Sequence, residues 1–156
     1  MLTIHVADEL RYAWDDPDPV KGGSDPVKGG AVAVEGARIA ATGSLADLRE
    51  RFPAARVRRW PGVLGPGLVL DGPLPDAPTP RERVHSVLKR GVVAVLEEYV
   101  GAPELRAAVG RNDVAVLTRV RPAGIVAGGR ADLAVFDEDW VCVATVCAGR
   151  LVHRRR

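Results

Sequence analysis

Apolar and polar residues alternate in short runs along much of the chain, and Gly, Pro and Asp break the runs. Residues 2–7, Leu-Thr-Ile-His-Val-Ala, have period two and read as a strand. Residues 31–35 and 38–42 repeat the pattern around Gly36-Ala37, which predicts a hairpin. Ser44 stands before Leu45 and Leu48, so it caps a short helix over 45–51 with Phe52 just beyond and Pro53 as its stop. Residues 56–60 alternate again and read as an edge strand. The run 61–70, Pro-Gly-Val-Leu-Gly-Pro-Gly-Leu-Val-Leu, reads as two tight turns around short apolar pieces.

The middle of the chain changes character. Pro73, Pro75, Pro78 and Pro80 predict a linker or an extended surface segment over 71–80. Thr79, Pro80 and Glu82 then spell a capped, proline-started helix. Its apolar face is Val84, Val87 and Leu88, and Gly91 stops it. Val92–Leu96 reads as a buried strand, Pro103–Val109 as a helix and Val114–Leu117 as a second buried strand, a strand-helix-strand unit. Towards the end, 132–136, 140–147 and 151–153 are separated by Asp137-Glu138-Asp139 and Ala148-Gly149-Arg150, the pattern of an antiparallel meander. The fold class is therefore mainly β with an α/β insert.

One interval has little apolar content. Residues 8–30 are acidic and rich in Pro and Gly, and DPVKGG occurs twice, at 18–23 and 25–30. This reads as a flexible surface loop lengthened by duplication, which costs little because closure entropy grows logarithmically. A phosphate loop needs a following helix, and here Lys28-Gly29-Gly30 runs into Ala-Val-Ala-Val.

Composition narrows the classes. The 156 residues fit one domain with an appendage, and aromatics at 4% leave an aliphatic core of 24 Val and 22 Ala. Three of the 22 basic residues are Lys and the rest Arg, usage that fits a high-GC bacterial genome. Net charge is only +2, with Arg150, Arg154, Arg155 and Arg156 as a solvated tail, so no nucleic-acid partner is expected. No run of 18 apolar residues and no leader pattern occur, so no membrane contact and a cytoplasmic location are expected. Cys142 and Cys147 are the only cysteines; their odd separation in one strand puts them on opposite faces, unbridged, as in a reducing compartment. Trp60 and Trp140 read as packing residues, whereas Trp14 either anchors a partner or folds back onto the body.

Two stretches carry a family resemblance. "AVAVEGARIAATGSLADLRERFPAARVRRWPGVLGPGLV" resembles the opening segment of the metal-dependent amidohydrolase superfamily, whose members include imidazolonepropionases, cytosine deaminases and aminofutalosine deaminases. "AGIVAGGRADLAVFDEDWVCVATVCAGRLVHRR" resembles its closing segment. The resemblance implies that 1–70 and 122–156 build a small composite β-sandwich, with 71–121 as a short insert in place of the catalytic barrel. It also implies a His-x-His metal pair just after Pro66-Gly67-Leu68-Val69. Gly72 and Leu74 occupy those positions, and neither ligates a metal. Only 51 residues separate Leu70 from Pro122, too few for the remaining barrel strands and their ligands.

The residue inventory agrees. His5, His85 and His153 are isolated in sequence and read as surface or rim histidines, and no cofactor or metal set is expected. Asp71, Asp76, Glu97, Glu98 and Tyr99 gather around strand ends and are the candidate polar cleft, with solvated strand caps as the alternative. Three functions stand. The first is a non-catalytic amidohydrolase-like protein with a structural, regulatory or ligand-binding role, dimerising through the sandwich face that a barrel otherwise covers. The second is the hydrolase of carbon–nitrogen bonds that the resemblance implies. The third is an accessory subunit of a larger enzyme.

Overall fold

The computed structural model describes residues 2–14 and 27–155. The first DPVKGG copy and the start of the second lie outside the described residues. The larger sheet contains β1 (Leu2–Leu10), β2 (Val27–Lys28), β3 (Gly30–Glu35), β4 (Arg38–Ser44) and β5 (Arg56–Pro66), closed by β9 (Leu133–Phe136), β10 (Cys142–Cys147) and β11 (Arg150–Arg154). Its order is β11-β10-β9-β5-β1-β3-β4, with β2 on β1. The chain's two ends thus build one sheet.

β5 makes this possible. Its first part runs parallel to β1, and its last four residues run antiparallel to β9. Residues 56–60 pair with β1 alone and form an edge, as expected, whereas 61–66 continue the strand where turns were expected, and 63–66 gain β9 as a second neighbour. The reason is a bulge. Ala7 opposes Trp60, but Glu9 opposes Val63. Gly62 takes φ +84°, donates its N–H to Asp8 Oδ2 at 2.9 Å, and leaves no room for a Cβ beside the Phe136 carbonyl. Pro61-Gly62 bends the strand instead of ending it. β1 also extends past residue 7, because Glu9 and Leu10 pair with Lys28 and Val27 and Gly30 lies flat on Leu10. The expected loop over 8–30 is correspondingly shorter.

Both faces of the sheet are buried. Ser44 Oγ accepts the Asp47 N–H at 3.1 Å and starts α1 (Leu45–Arg51), which covers Ile4, Val6, Ala31 and Ala33 with Leu48. On the other face Val32, Val34, Ile39 and Trp60 meet Leu133, Val135, Val143 and Val146 across a sandwich core. The sandwich closes where Ala131 N–H donates to Ala37 O and Ile39 N–H to Gly129 O, at 2.8 and 2.9 Å.

The smaller sheet is β6 (Leu68–Leu70), β7 (Val92–Leu96) and β8 (Ala115–Leu117), all parallel and in sequential order. α2 (Pro80–Leu88) and α3 (Pro103–Arg111) connect them. Sequential parallel strands with intervening helices form an arc like part of a β/α barrel. Leu68–Leu70 pair here and not in the sandwich sheet, so this sheet begins ahead of residue 71. Thr79 Oγ1 accepts the Glu82 N–H at 3.2 Å, and Val84, Val87 and Leu88 are buried as their spacing requires.

The insert covers the outer face of the meander. Thr145 is fully buried, and its hydroxyl donates to Leu88 O at 2.7 Å. Cys147 and Val152 pack with the α2–α3 core, while Ala134, Phe136 and Cys142 pack with Leu68. The sandwich face named as the reason for dimerisation is thus covered within the chain. Both free thiols face the insert, not opposite sides. Register shifts at Cys142/Ala144 and Thr145/Val146 change the alternation.

Gly62→Ala is expected to lower unfolding stability by about 2 kcal/mol, because it puts a side chain at positive φ against a carbonyl. Urea titration measures it; an unchanged midpoint contradicts the bulge's role.

Candidate functional site

The expected metal positions are the first to locate. Leu74 is buried in the α2–α3 core, and Arg83 fixes the segment by donating to Leu74 O at 2.8 Å and Pro75 O at 3.1 Å. Gly72 has open space around it. Among the described residues no three His, Cys, Asp or Glu side chains are grouped to hold an ion. The donor set does not fit the metal that the resemblance implies.

Asp71 follows β6 and Glu97, Glu98 and Tyr99 follow β7, so the parallel sheet brings them to one edge. Asp71, Glu97 and Glu98 are exposed and Tyr99 is half-buried. Asp76 is exposed beyond Leu74. No hydrogen bond or ion pair among the described residues joins these five.

The histidines divide. His5 is buried, not on the rim, because β1 lies between β3 and β5 and both sheet faces are covered. Trp60 Nε1–H donates to His5 Nδ1 at 3.1 Å with the rings stacked. Burial, helped by Arg58, lowers the His5 pKa to about 4, so it is a neutral acceptor. His153 is half-buried near Cys142 O, and His85 is exposed on α2.

Trp14 folds back onto the body. Its Nε1–H donates to Pro66 O at 2.6 Å and its ring meets Phe136 and Trp140 edge-on. Gly65 admits this ring. Trp140 packs there against Trp14 and Phe136, as a packing residue should, while remaining 61% exposed at φ +59°.

A cleft of about 230 Å³ lies on the inner face of the smaller sheet. Its floor is Val69, Ala94, Ala115 and Leu117. Arg121 and the Arg130–Asp132 pair supply its charges. Arg130 Nε donates to Asp132 Oδ1 at 3.0 Å, and Ala148 N–H donates to the same oxygen at 2.9 Å. Arg130 also reaches Asp113 O and Cys147 Sγ. Burial raises the Asp132 pKa against the opposing pull of Ala148 N–H and Arg130. Burial and Asp132 push the Cys147 thiol up to about 11, so it is no thiolate nucleophile at neutral pH. The cleft offers apolar surface and guanidinium donors, without a nucleophile–base pair. Sequence reading missed Arg121, Arg130 and Asp132; the only local signal was the Gly-Gly-Arg turn before β9.

Residues 30–55 match the family model of the imidazolonepropionase-like composite domain of bacteria. No curated protein matches the chain in sequence. Solved structures with a similar fold include guanine deaminase from E. coli, with TM-score 0.58 and 14% identity over 74% of this chain and 35% of that one. Guanine deaminase from Bradyrhizobium japonicum gives TM-score 0.57 and 13% identity over 74% and 34%. A zinc-bound adenosine deaminase from Xanthomonas campestris gives 0.51 and 22% over 74% and 33%. The chain spans about a third of each of these structures.

Because His5 stays neutral when folded but takes up a proton near pH 6.5 when unfolded, its contribution is full above that pH. It is lost as pH falls through about 4. The loss amounts to about 3 kcal/mol. Denaturant midpoints of wild type against His5→Gln across this range test it; equal slopes contradict it.

Over residues 30–55 the chain is thus similar to the imidazolonepropionase-like composite domain, and over about three quarters of its length its fold is similar to that of the guanine and adenosine deaminase structures, with a three-strand parallel arc beside the larger sheet.

Proposed function

We propose that this chain is a non-catalytic amidohydrolase-like binding module. Its cleft on the inner face of β6, β7 and β8 takes a small, partly apolar ligand carrying an anionic group. One observation carries the reading: Gly72 and Leu74 stand where the metal pair belongs, and Leu74 is core. The aliphatic floor supplies affinity by burial, and Arg121 supplies orientation. Arg130 and Asp132 neutralise each other and hold the wall.

A second reading is an accessory role, favoured by the outer edge of β8, which pairs with no described strand. A partner strand, from a second copy or from another subunit, would extend the arc there.

Metal analysis and ammonia release from guanine and adenosine test the principal reading. Substoichiometric zinc and no turnover are expected; one retained zinc per chain with chelator-sensitive turnover overturns it. In a fragment screen by NMR, shifts are expected at Val69, Ala94, Ala115 and Arg121, and hits confined to other surfaces contradict the assigned cleft.

A further inference from the structure

A second cleft has a different character. It lies where α2, the end of α3 and β11 meet, with a volume of about 340 Å³. Arg81 and His85 face it from α2, and Arg150 from β11. Leu88, Leu151 and Val152 form its apolar base. Asn112, at the end of α3, lends an amide group whose nitrogen already donates to Ala108 O at 2.8 Å.

The charges here are unbalanced. His85 has Lys89 and Arg81 on its own helix and His153 on β11 as basic neighbours, with Glu82 one turn before it on α2. Partial burial first, and then these basic neighbours, lower its pKa. Two carboxylates are close: Glu82 on α2 lines the adjoining groove with His85 and Lys89, and Asp113, after α3, pairs with Arg150 at 3.2 Å, both members of that pair being about half exposed. Arg81 and Lys89 have no ion-pair partner among the described residues. Cations from two elements thus converge over an apolar base. Uncompensated like charges repel, and an incoming anion relieves the repulsion.

We propose that this cleft is a binding site for a phosphate-class oxyanion, held by Arg81, Arg150 and His85. Two guanidiniums suit a phosphoryl group because each presents paired N–H donors to its oxygens. A phosphate near neutral pH carries more negative charge than a carboxylate, so it compensates more of the cluster. His85 then protonates as the anion binds, becoming a third donor.

The test uses the full chain with inorganic phosphate and pyrophosphate, and acetate as the carboxylate arm. Isothermal titration reads affinity, and NMR of the His85 ring reads its pKa. Saturable phosphate or pyrophosphate binding is expected, with the His85 pKa rising by about one unit on saturation. Arg81→Ala is expected to weaken binding at least about tenfold. His85→Gln is expected to remove the proton uptake that accompanies binding. Arg121→Ala, in the other cleft, should leave the affinity unchanged, which separates this site from the proposed ligand cleft. The proposal is overturned by absence of saturable binding, by equal affinity for acetate, or by binding that Arg81→Ala leaves intact.

Discussion

The structure depends on the packing of α2 and β7 against the outer face of β9–β11. That face is apolar, and a sheet with one bare apolar face is not stable in water. Leu88 supplies both halves of the contact: its side chain fills the α2–α3 core and its carbonyl receives the buried Thr145 hydroxyl. A buried hydroxyl without that partner would cost about 1–3 kcal/mol. Arg130 reinforces the junction by reaching Asp113 O, so the loop after α3 is tied to the start of β9. Three strands and two helices thereby take over a covering role for the sandwich.

This covering sets what the molecule can do. The arc's helix-facing side is used up in packing, so its inner side remains open as the cleft we propose for a ligand. Val69, Ala94, Ala115 and Leu117 there are small or aliphatic and carry no chemistry. Polar side chains lie at the periphery, Arg121 in one cleft and Arg81, His85 and Arg150 in the other. The titratable groups that are well buried serve structure: His5 receives the Trp60 N–H, and Asp132 holds Arg130 and the Ala148 amide.

Much of this was legible in the sequence where structure is local. The Ser44 and Thr79 caps, the Gly36 hairpin, the α2 face and the final meander follow from residue spacing and turn chemistry. The misread elements were those decided by tertiary contacts. Pro61-Gly62 looked like a break, yet the Asp8 carboxylate and the Phe136 carbonyl make it a bulge within β5. His5 lies near the start of the chain, yet pairing with β3 on one side and β5 on the other makes β1 central. The thiols changed sides through register shifts that no alternation rule shows. Of the site, the family pattern points to Gly72 and Leu74 as the positions of the expected metal pair, and the structure puts Leu74 in the core. Both clefts, by contrast, join residues from separate segments that only the fold brings together.

The central claim is that the insert and the sandwich stand or fall together. Native-state hydrogen exchange in low denaturant tests it most directly. If the account holds, amides of Val92–Leu96 in β7 share one opening free energy with those of β5, and both fall together in Thr145→Val. Exchange of β7 at a much lower free energy, with β5 still protected and Thr145→Val without effect, would contradict it.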